Sequence, residues 1–415
     1  VLAIFWGIGC VFAKLRTKKN QSSLFLIIVF LTLFEYLRAK LLTGFPWLMP
    51  SIILSSNDYL IQIFALVGSF TANLFVFSFS ILPFILIFNF RSKYIIFGLL
   101  SIPITILLFS SFVRLYNKDN KVSDKNLITL VQPNIEQKDK WNLEKRNANL
   151  NKLTQFSIQN VNEYIGVNRI IIWPETSFEG TIPNEMELLS VISKRILTDQ
   201  KAILVVGLLR VDKNKLFNSL VFLNSKGNII HQYDKIHLVP FGEYIPLRNK
   251  FTTIANFLSL KDFSSGNIKP NFTLKGFGNI LTLICYEILF TEEVISRLSK
   301  NTNLLINITN DAWFGKTIGP YQHLALAKIK AVELGIPLAR VANTGISALI
   351  SPYGEEITKI PLYESGVRTA KLILPLKNTI YRKYGEIIFI VSILFLIFIN
   401  KMYDYKFRRD LKNEK

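Results

Sequence analysis

Apolar and polar positions divide the 415-residue chain into two unlike regimes. Apolar stretches without internal charge cover 1–13, 24–34, 61–88, 94–113 and 387–399. About 20 helical residues at 1.5 Å each cross a bilayer core, so 61–88 and 94–113 have spanning length. The stretch 387–399 is shorter, but Tyr381 and Tyr384 before it and Tyr403 and Tyr405 after it are the aromatics expected at membrane interfaces. The stretch 24–34 reaches spanning length only by taking in Glu35, Tyr36 and Arg38, and it too is read as a span. The first stretch opens at Val1 without Met, which leads us to expect a truncated helix and a missing N-terminal portion.

Between these stretches the pattern changes. Short β-rich runs at 126–133, 169–175, 202–209, 219–224, 228–235, 279–287, 303–311 and 346–355 alternate with helical periodicity near 140–163, 185–199, 290–300 and 320–335. Such alternation predicts one α/β domain. The division expected is 1–116 transmembrane helices carrying an outer "GFPWL" loop, 117–378 the α/β domain, 379–400 a last span and 401–415 a basic tail.

Charge supplies an orientation. Lys14, Arg16, Lys18 and Lys19, then Arg91 and Lys93, then Lys401, Lys406, Arg408 and Arg409 fall on one side if every stretch spans. The positive-inside rule makes that side cytoplasmic and places 41–59 and 117–378 outside. Half of the residues are hydrophobic and the formal net charge is +20. The basic residues are scattered and no nucleic-acid-binding signature accompanies them, which argues against that class of partner. With two cysteines, Cys10 in an apolar stretch and Cys285, no disulfide framework is expected. Three histidines and one usable thiol argue against a metal site.

Candidate chemistry stands at strand ends. Glu175 ends "RIIIWPE", Lys235 ends "NIIHQYDK", and Cys285 lies two residues from the end of "NILTLICYE". Ligands of α/β sheets bind outside the carboxyl ends of strands. A cysteine acts as thiolate and needs a base; Glu175 fits that part, its pKa raised by the neighbouring "IIIW". Lys235 offers a positive charge for an oxyanion, and a helix predicted after Cys285 offers backbone donors. Spacing does not show that the three meet; singly, Glu175 and Lys235 also read as solvated charges and Cys285 as a small core residue. His237 and His323 read as local hydrogen-bonding residues.

"WPE" (173–175), "YDKIHLVPFGEYIP" (233–246), "CYE" (285–287) and "NDAWFG" (310–315) together resemble the carbon-nitrogen hydrolase, or nitrilase, superfamily. The apolar helices and "GFPWL" (44–48) are similar to its membrane-embedded branch, the apolipoprotein N-acyltransferases. The resemblance implies an αββα sandwich on a transmembrane helical bundle, with Glu175 as base, Lys235 as stabiliser and Cys285 as nucleophile. It also implies Glu243 as a supporting carboxylate beside Lys235, and Trp141, Asn218, Tyr286 and Glu287 as substrate-site residues, each with packing as the competing role. Lys330 stands where relatives usually carry Arg, and the resemblance leads us to expect that membrane helices at the start of the family lie outside this sequence.

The implied reaction moves an acyl chain from a membrane phospholipid, through a Cys285 thioester, to the N-terminal amine of a diacylglyceryl apolipoprotein, without a cofactor. The loop 260–267 is expected to be mobile and to admit acyl chains. Two alternatives stay open: a membrane-anchored amidase or nitrilase using the same residues, and a non-catalytic scaffold or transporter. The absence of ionisable residues from 61–88 and 94–113 weighs against the transporter.

Overall fold

The computed structural model describes residues 2–16, 23–87, 93–159, 161–246, 262–267 and 271–413. They form two compact units, one of Val1–Lys118, Val332–Gly335 and Lys377–Lys415, the other of Asp119–Ala331 and Ile336–Leu376.

The first unit is helical, with helices Ala3–Arg16, Ser23–Lys40, Ile63–Ile87, Lys93–Tyr116, Ile380–Tyr384 and Ile387–Asn413. Among the described residues, Leu60–Ile87 and Tyr94–Tyr116 are long and apolar enough to cross a membrane, and Ile387–Met402 is a shorter apolar helix. The helix Ser23–Lys40 falls outside that class because Glu35, Arg38 and Lys40 crowd its last turns. Two of those charges are used internally. Arg38 pairs with Glu35 and donates to the carbonyls of Phe45 (2.6 Å) and Trp47 (2.8 Å), while Trp6 Nε1 donates to Glu35 (2.7 Å). The buried guanidinium thereby ties down the "GFPWL" segment, whose backbone oxygens have no ladder to join.

The second unit contains thirteen strands among its described residues: β1 (Val122–Gln132), β2 (Asn168–Ile172), β3 (Thr181–Ile182), β4 (Ala202–Asp212), β5 (Lys215–Leu223), β6 (Ile229–Asp234), β7 (Asn271–Leu274), β8 (Gly278–Ile284), β9 (Thr302–Thr309), β10 (Leu338–Ala342), β11 (Ser347–Ile350), β12 (Glu356–Ile360) and β13 (Gly366–Ile373). One sheet has the order β13-β1-β2-β4-β5-β6, with β3 beside β4; the other runs β12-β11-β10-β9-β8-β7. Each has a parallel centre, β1-β2-β4 and β8-β9-β10, flanked by antiparallel strands.

Period-two side-chain alternation explains the layering. In β2, Ile170 and Ile172 join a core shared with Ile280, Ile284, Leu304, Ile306 and Val341 of the other sheet. Ile171 points the opposite way, with Val131 and Leu204, into a cluster closed by Leu150 and Leu153 of helix Leu143–Ile158 and Leu189, Ile192 and Ile196 of helix Met186–Ile196. Each such side chain taken from water contributes roughly 1.5–3 kcal/mol. Helices Thr291–Arg297 and Gly319–Leu334 belong to the second sheet's half of the chain, and Lys330 of the latter hydrogen-bonds Thr291 of the former. The product is the αββα architecture. The helix expected near 290–300 is present as Thr291–Arg297, and between it and β8 the residues Cys285–Leu289 form a five-residue 3-10 turn.

Candidate active site

β6 is two antiparallel steps from β4 and therefore runs the same way as β2. Their carboxyl ends share an edge of the first sheet. Glu175 follows β2 across Trp173 and Pro174, and Gly207 of β4 lies under this turn, where any Cβ would overlap the Pro174 carbonyl and the Glu175 backbone. Lys235 follows β6, its N–H donating to the Asn218 carbonyl (2.8 Å). Cys285 follows β8 of the second sheet, in a left-handed conformation with φ of 54°.

These ends converge. Lys235 Nζ lies 2.8 Å from Glu243 Oε2 and 3.9 Å from Glu175 Oε1, all three side chains being largely withdrawn from solvent. Asn218 Nδ2 donates to both carboxylates, at 2.7 Å to Glu175 and 2.9 Å to Glu243. The other Glu175 oxygen accepts from the Asn310 N–H (2.8 Å), and Thr309, the preceding residue, places its hydroxyl 3.1 Å from the Cys285 sulfur. Glu243 is fixed by the Val239 N–H (2.8 Å).

The electrostatics give each group a protonation state. Shielding from water pushes the Cys285 thiol up to about 12; the Glu175 charge adds to this and Lys235 opposes it, so the resting sulfur is a neutral thiol. Burial also raises Glu175, with Lys235 working against the shift, and a carboxylate so placed holds a proton more readily. For Lys235, burial opposes the charge, but Glu243 and then Glu175 outweigh it and hold the ammonium above the ordinary lysine value. Lys235 is a fixed cation and not a proton acceptor.

The remaining expected residues separate by role. Asn218 is 3 % exposed and bridges the carboxylates. Tyr286 packs edge-on against His237 and Phe290, and Trp141 sits at the surface, 44 % exposed. Glu287 is 1 % exposed, its carboxylate enclosed by backbone N–H groups, a tyrosine hydroxyl and a guanidinium. Its Oε1 accepts from the N–H groups of Ile236 (2.9 Å) and His237 (3.1 Å), the Tyr233 hydroxyl (2.6 Å) and Arg297 (3.0 Å), and its Oε2 accepts from the Ile284 N–H (2.8 Å). It thus joins the segment after Lys235 to the residue before Cys285. His237 and His323 make local hydrogen bonds, to Glu293 (2.7 Å) and Asp311 (2.9 Å).

In the loop read as mobile, Leu260 and Lys261 lie outside the described residues. The rest is pinned: the N–H groups of Phe263, Ser264 and Gly266 donate to Glu243, Leu216 and Lys235 carbonyls at 2.7–2.8 Å. It is held to the site rather than loose beside it.

Lys140 is a functional residue that the polar stretch "QKDKW" does not signal. It is 6 % exposed, and its ammonium donates to the Glu175 carbonyl (3.2 Å) and the Thr176 hydroxyl (2.5 Å), bracing a turn in which Thr176 has φ of 45°. Burial lowers it to about 8 despite the opposing pull of Glu175, Glu179 and Cys285.

The carbon-nitrogen hydrolase family pattern matches residues 127–376, and that of the apolipoprotein N-acyltransferase N-terminal domain matches 1–82. The chain is 30% identical over 420 residues to the apolipoprotein N-acyltransferase of Rhodopseudomonas palustris, covering 96% of this chain and 78% of that one. It is 32% identical over 417 residues to the Rickettsia bellii apolipoprotein N-acyltransferase, covering 98% and 81%. Among solved structures, Saccharomyces cerevisiae Nit3, a member of branch 10 of the nitrilase superfamily, is similar over 64% of this chain and 96% of that chain, with a TM-score of 0.46 and 19% identity.

Proposed function

This chain belongs to the apolipoprotein N-acyltransferase family and carries a carbon-nitrogen hydrolase domain, and from that membership we propose a two-step acyl transfer through Cys285. The convergence of Glu175, Lys235 and Cys285 supports this reading, with the 3.9 Å approach of Lys235 to Glu175 as its central observation.

In the first step Glu175 takes the Cys285 proton as sulfur bonds to the ester carbonyl carbon of a phospholipid. Because the resting thiol is neutral, deprotonation and attack are coupled, and no free thiolate stands exposed to oxidants or stray electrophiles. The carbonyl oxygen gains a negative charge near the Lys235 ammonium, whose attraction strengthens as that charge develops. The ester C–O bond then breaks, the leaving alkoxide takes the proton from Glu175, and a lysophospholipid departs from a Cys285 thioester.

In the second step the α-amine of a diacylglyceryl cysteine attacks the thioester. Glu175 takes the amine's proton, the C–S bond breaks, and the proton passes to sulfur as the amide forms. Glu243 and Asn218 keep Lys235 and Glu175 in register throughout. The domain comprising 117–378 lies on the periplasmic side in this reading, tethered by the spans within 1–116 and 379–400. Both substrates are lipid-anchored, and tethering restricts the search for them to the membrane surface.

The test is intact-mass measurement of the full chain in detergent with phospholipid, followed by a chase with a diacylated lipopeptide. An acyl adduct on Cys285 that transfers to the lipopeptide amine is expected, and Cys285→Ala abolishes it. Release of the adduct to water in preference to the amine points to a hydrolase. A stable protein without an adduct refutes the proposal.

A further inference from the structure

Beneath the Cys285 sulfur lies a buried polar cluster that the transfer steps do not use. Thr309, the last residue of β9, is fully buried, and its hydroxyl oxygen is 3.1 Å from Cys285 Sγ and 3.0 Å from Asp311 Oδ1. Asp311 Oδ1 also meets His323 Nδ1 (2.9 Å), and its Oδ2 accepts from Arg340 (2.7 Å). Arg340 reaches Asn307 Oδ1 (3.0 Å), whose amide donates to the Cys285 carbonyl (3.2 Å). Asp311, His323 and Arg340 are each at most 1 % exposed.

A hydroxyl carries one proton and cannot donate to sulfur and carboxylate together. While Cys285 is a neutral thiol, Asp311 is the stronger acceptor; once sulfur is anionic, sulfur competes for that proton. Arg340 and His323 hold Asp311 below its ordinary value against the opposing effect of burial, so it stays a carboxylate. It also retains both of these partners when Thr309 turns away.

We propose that Thr309 is a positioning residue whose single hydroxyl proton swings from Asp311 to the Cys285 sulfur as the thiolate forms, and back when the thioester forms. The inference rests on the reading of Cys285 as nucleophile. No bond to that proton breaks: the thiol proton goes to Glu175, and the Thr309 O–H only rotates. The charged groups acting on the sulfur are Glu175 from beyond β2, Lys235 from beyond β6 and Asp311 from beyond β9, with Lys140 beside Glu175. Thr309 is the neutral group able to answer a change in sulfur charge without changing its own.

The test is the rate of Cys285 alkylation by iodoacetamide against pH, read by peptide mass so that Cys10 is counted separately, on the full chain. A hydrogen bond to an ionised group is worth on the order of 10- to 100-fold in an equilibrium. Thr309→Val is therefore expected to lower the alkylation rate about 10- to 100-fold at each pH below the thiol's own pKa. It should also slow thioester formation about 10-fold or more at unchanged phospholipid KM. Thr309→Ser restores both, and Thr309→Ala serves in place of Val if the latter fails to fold. A folded Val or Ala variant with the wild-type profile overturns the switch, as does a Ser variant that behaves like Val. Alkylation needs no phospholipid, so a lowered alkylation rate in a chain that forms no acyl adduct sinks the acyl-transfer reading and leaves the switch standing.

Discussion

Replacing Glu287 tests whether the site is held from behind or lined from within. Glu287→Leu preserves approximate volume and removes the acceptor for the N–H groups of Ile284, Ile236 and His237, for the Tyr233 hydroxyl and for Arg297. Each buried donor left unpaired costs about 1–3 kcal/mol, and removing one partner of a buried ion pair costs roughly 3–5 kcal/mol. These costs overlap, and Arg297 keeps Glu293 at 2.6 Å, so a loss on the order of 4–6 kcal/mol is expected, comparable with a domain's entire net stability. Glu287→Gln is milder: one oxygen still accepts, but its amide group turns a donor toward a site that supplies only donors. The expected loss is about 2–3 kcal/mol. Because the same side chain joins the backbone after Lys235 to that before Cys285, the Gln variant should also form thioester at least 10-fold more slowly, with phospholipid KM unchanged. Thermal unfolding of the detergent-solubilised full chain and timed intact-mass measurement of the adduct supply both readouts. Wild-type melting in both variants, or a Gln variant with raised KM and normal turnover, would refute the clamp and return Glu287 to the substrate pocket.

Two further predictions concern the lysines. Lys235→Ala should keep the fold yet reduce the rate of Cys285 adduct formation by about 100-fold or more, since the oxyanion loses its fixed cation; a near-normal rate would make Lys235 structural. Lys140 titrates near 8, so wild-type thioester formation should show a step there that Lys140→Met lacks. The sign for stability follows from the same group: between about 8 and the ordinary 10.5 the unfolded chain binds the proton and the folded chain does not. Stability from Lys140 therefore improves as pH rises through that window, and Lys140→Met should flatten the slope of unfolding free energy there.

Much of this arrangement could be read from residue order because strand ends and reactive side chains coincide. "RIIIWPE" and "NIIHQYDK" announce β2 and β6 by their apolar runs, and their last residues lie at the shared edge. What linear order hides is direction. Glu287 stands two residues from Cys285, and its place in the chain gives no sign that the tight 3-10 turn aims it back at Ile284 N–H and across at Ile236. Lys140 is hidden in the same way, because a charge in a polar stretch gives no sign of burial. β12 and β13 were missed too, since exposed and half-buried positions leave only a weak apolar alternation. β10 was hidden inside "LARVA", where Arg340 interrupts the apolar run; the arginine is buried against Asp311 and Asn307, partners far off in the chain.

The left-handed backbone at Cys285 also limits which nucleophiles this scaffold could exchange for sulfur. Serine has an unbranched β-carbon and can enter that conformation at modest cost, whereas threonine, branched at Cβ, does so at a larger cost, one that Thr176 carries at a φ of 45° in its braced turn. A change from thiol to hydroxyl chemistry at this turn therefore meets the least backbone resistance through serine, and a threonine there would call for bracing of the kind that Lys140 gives Thr176.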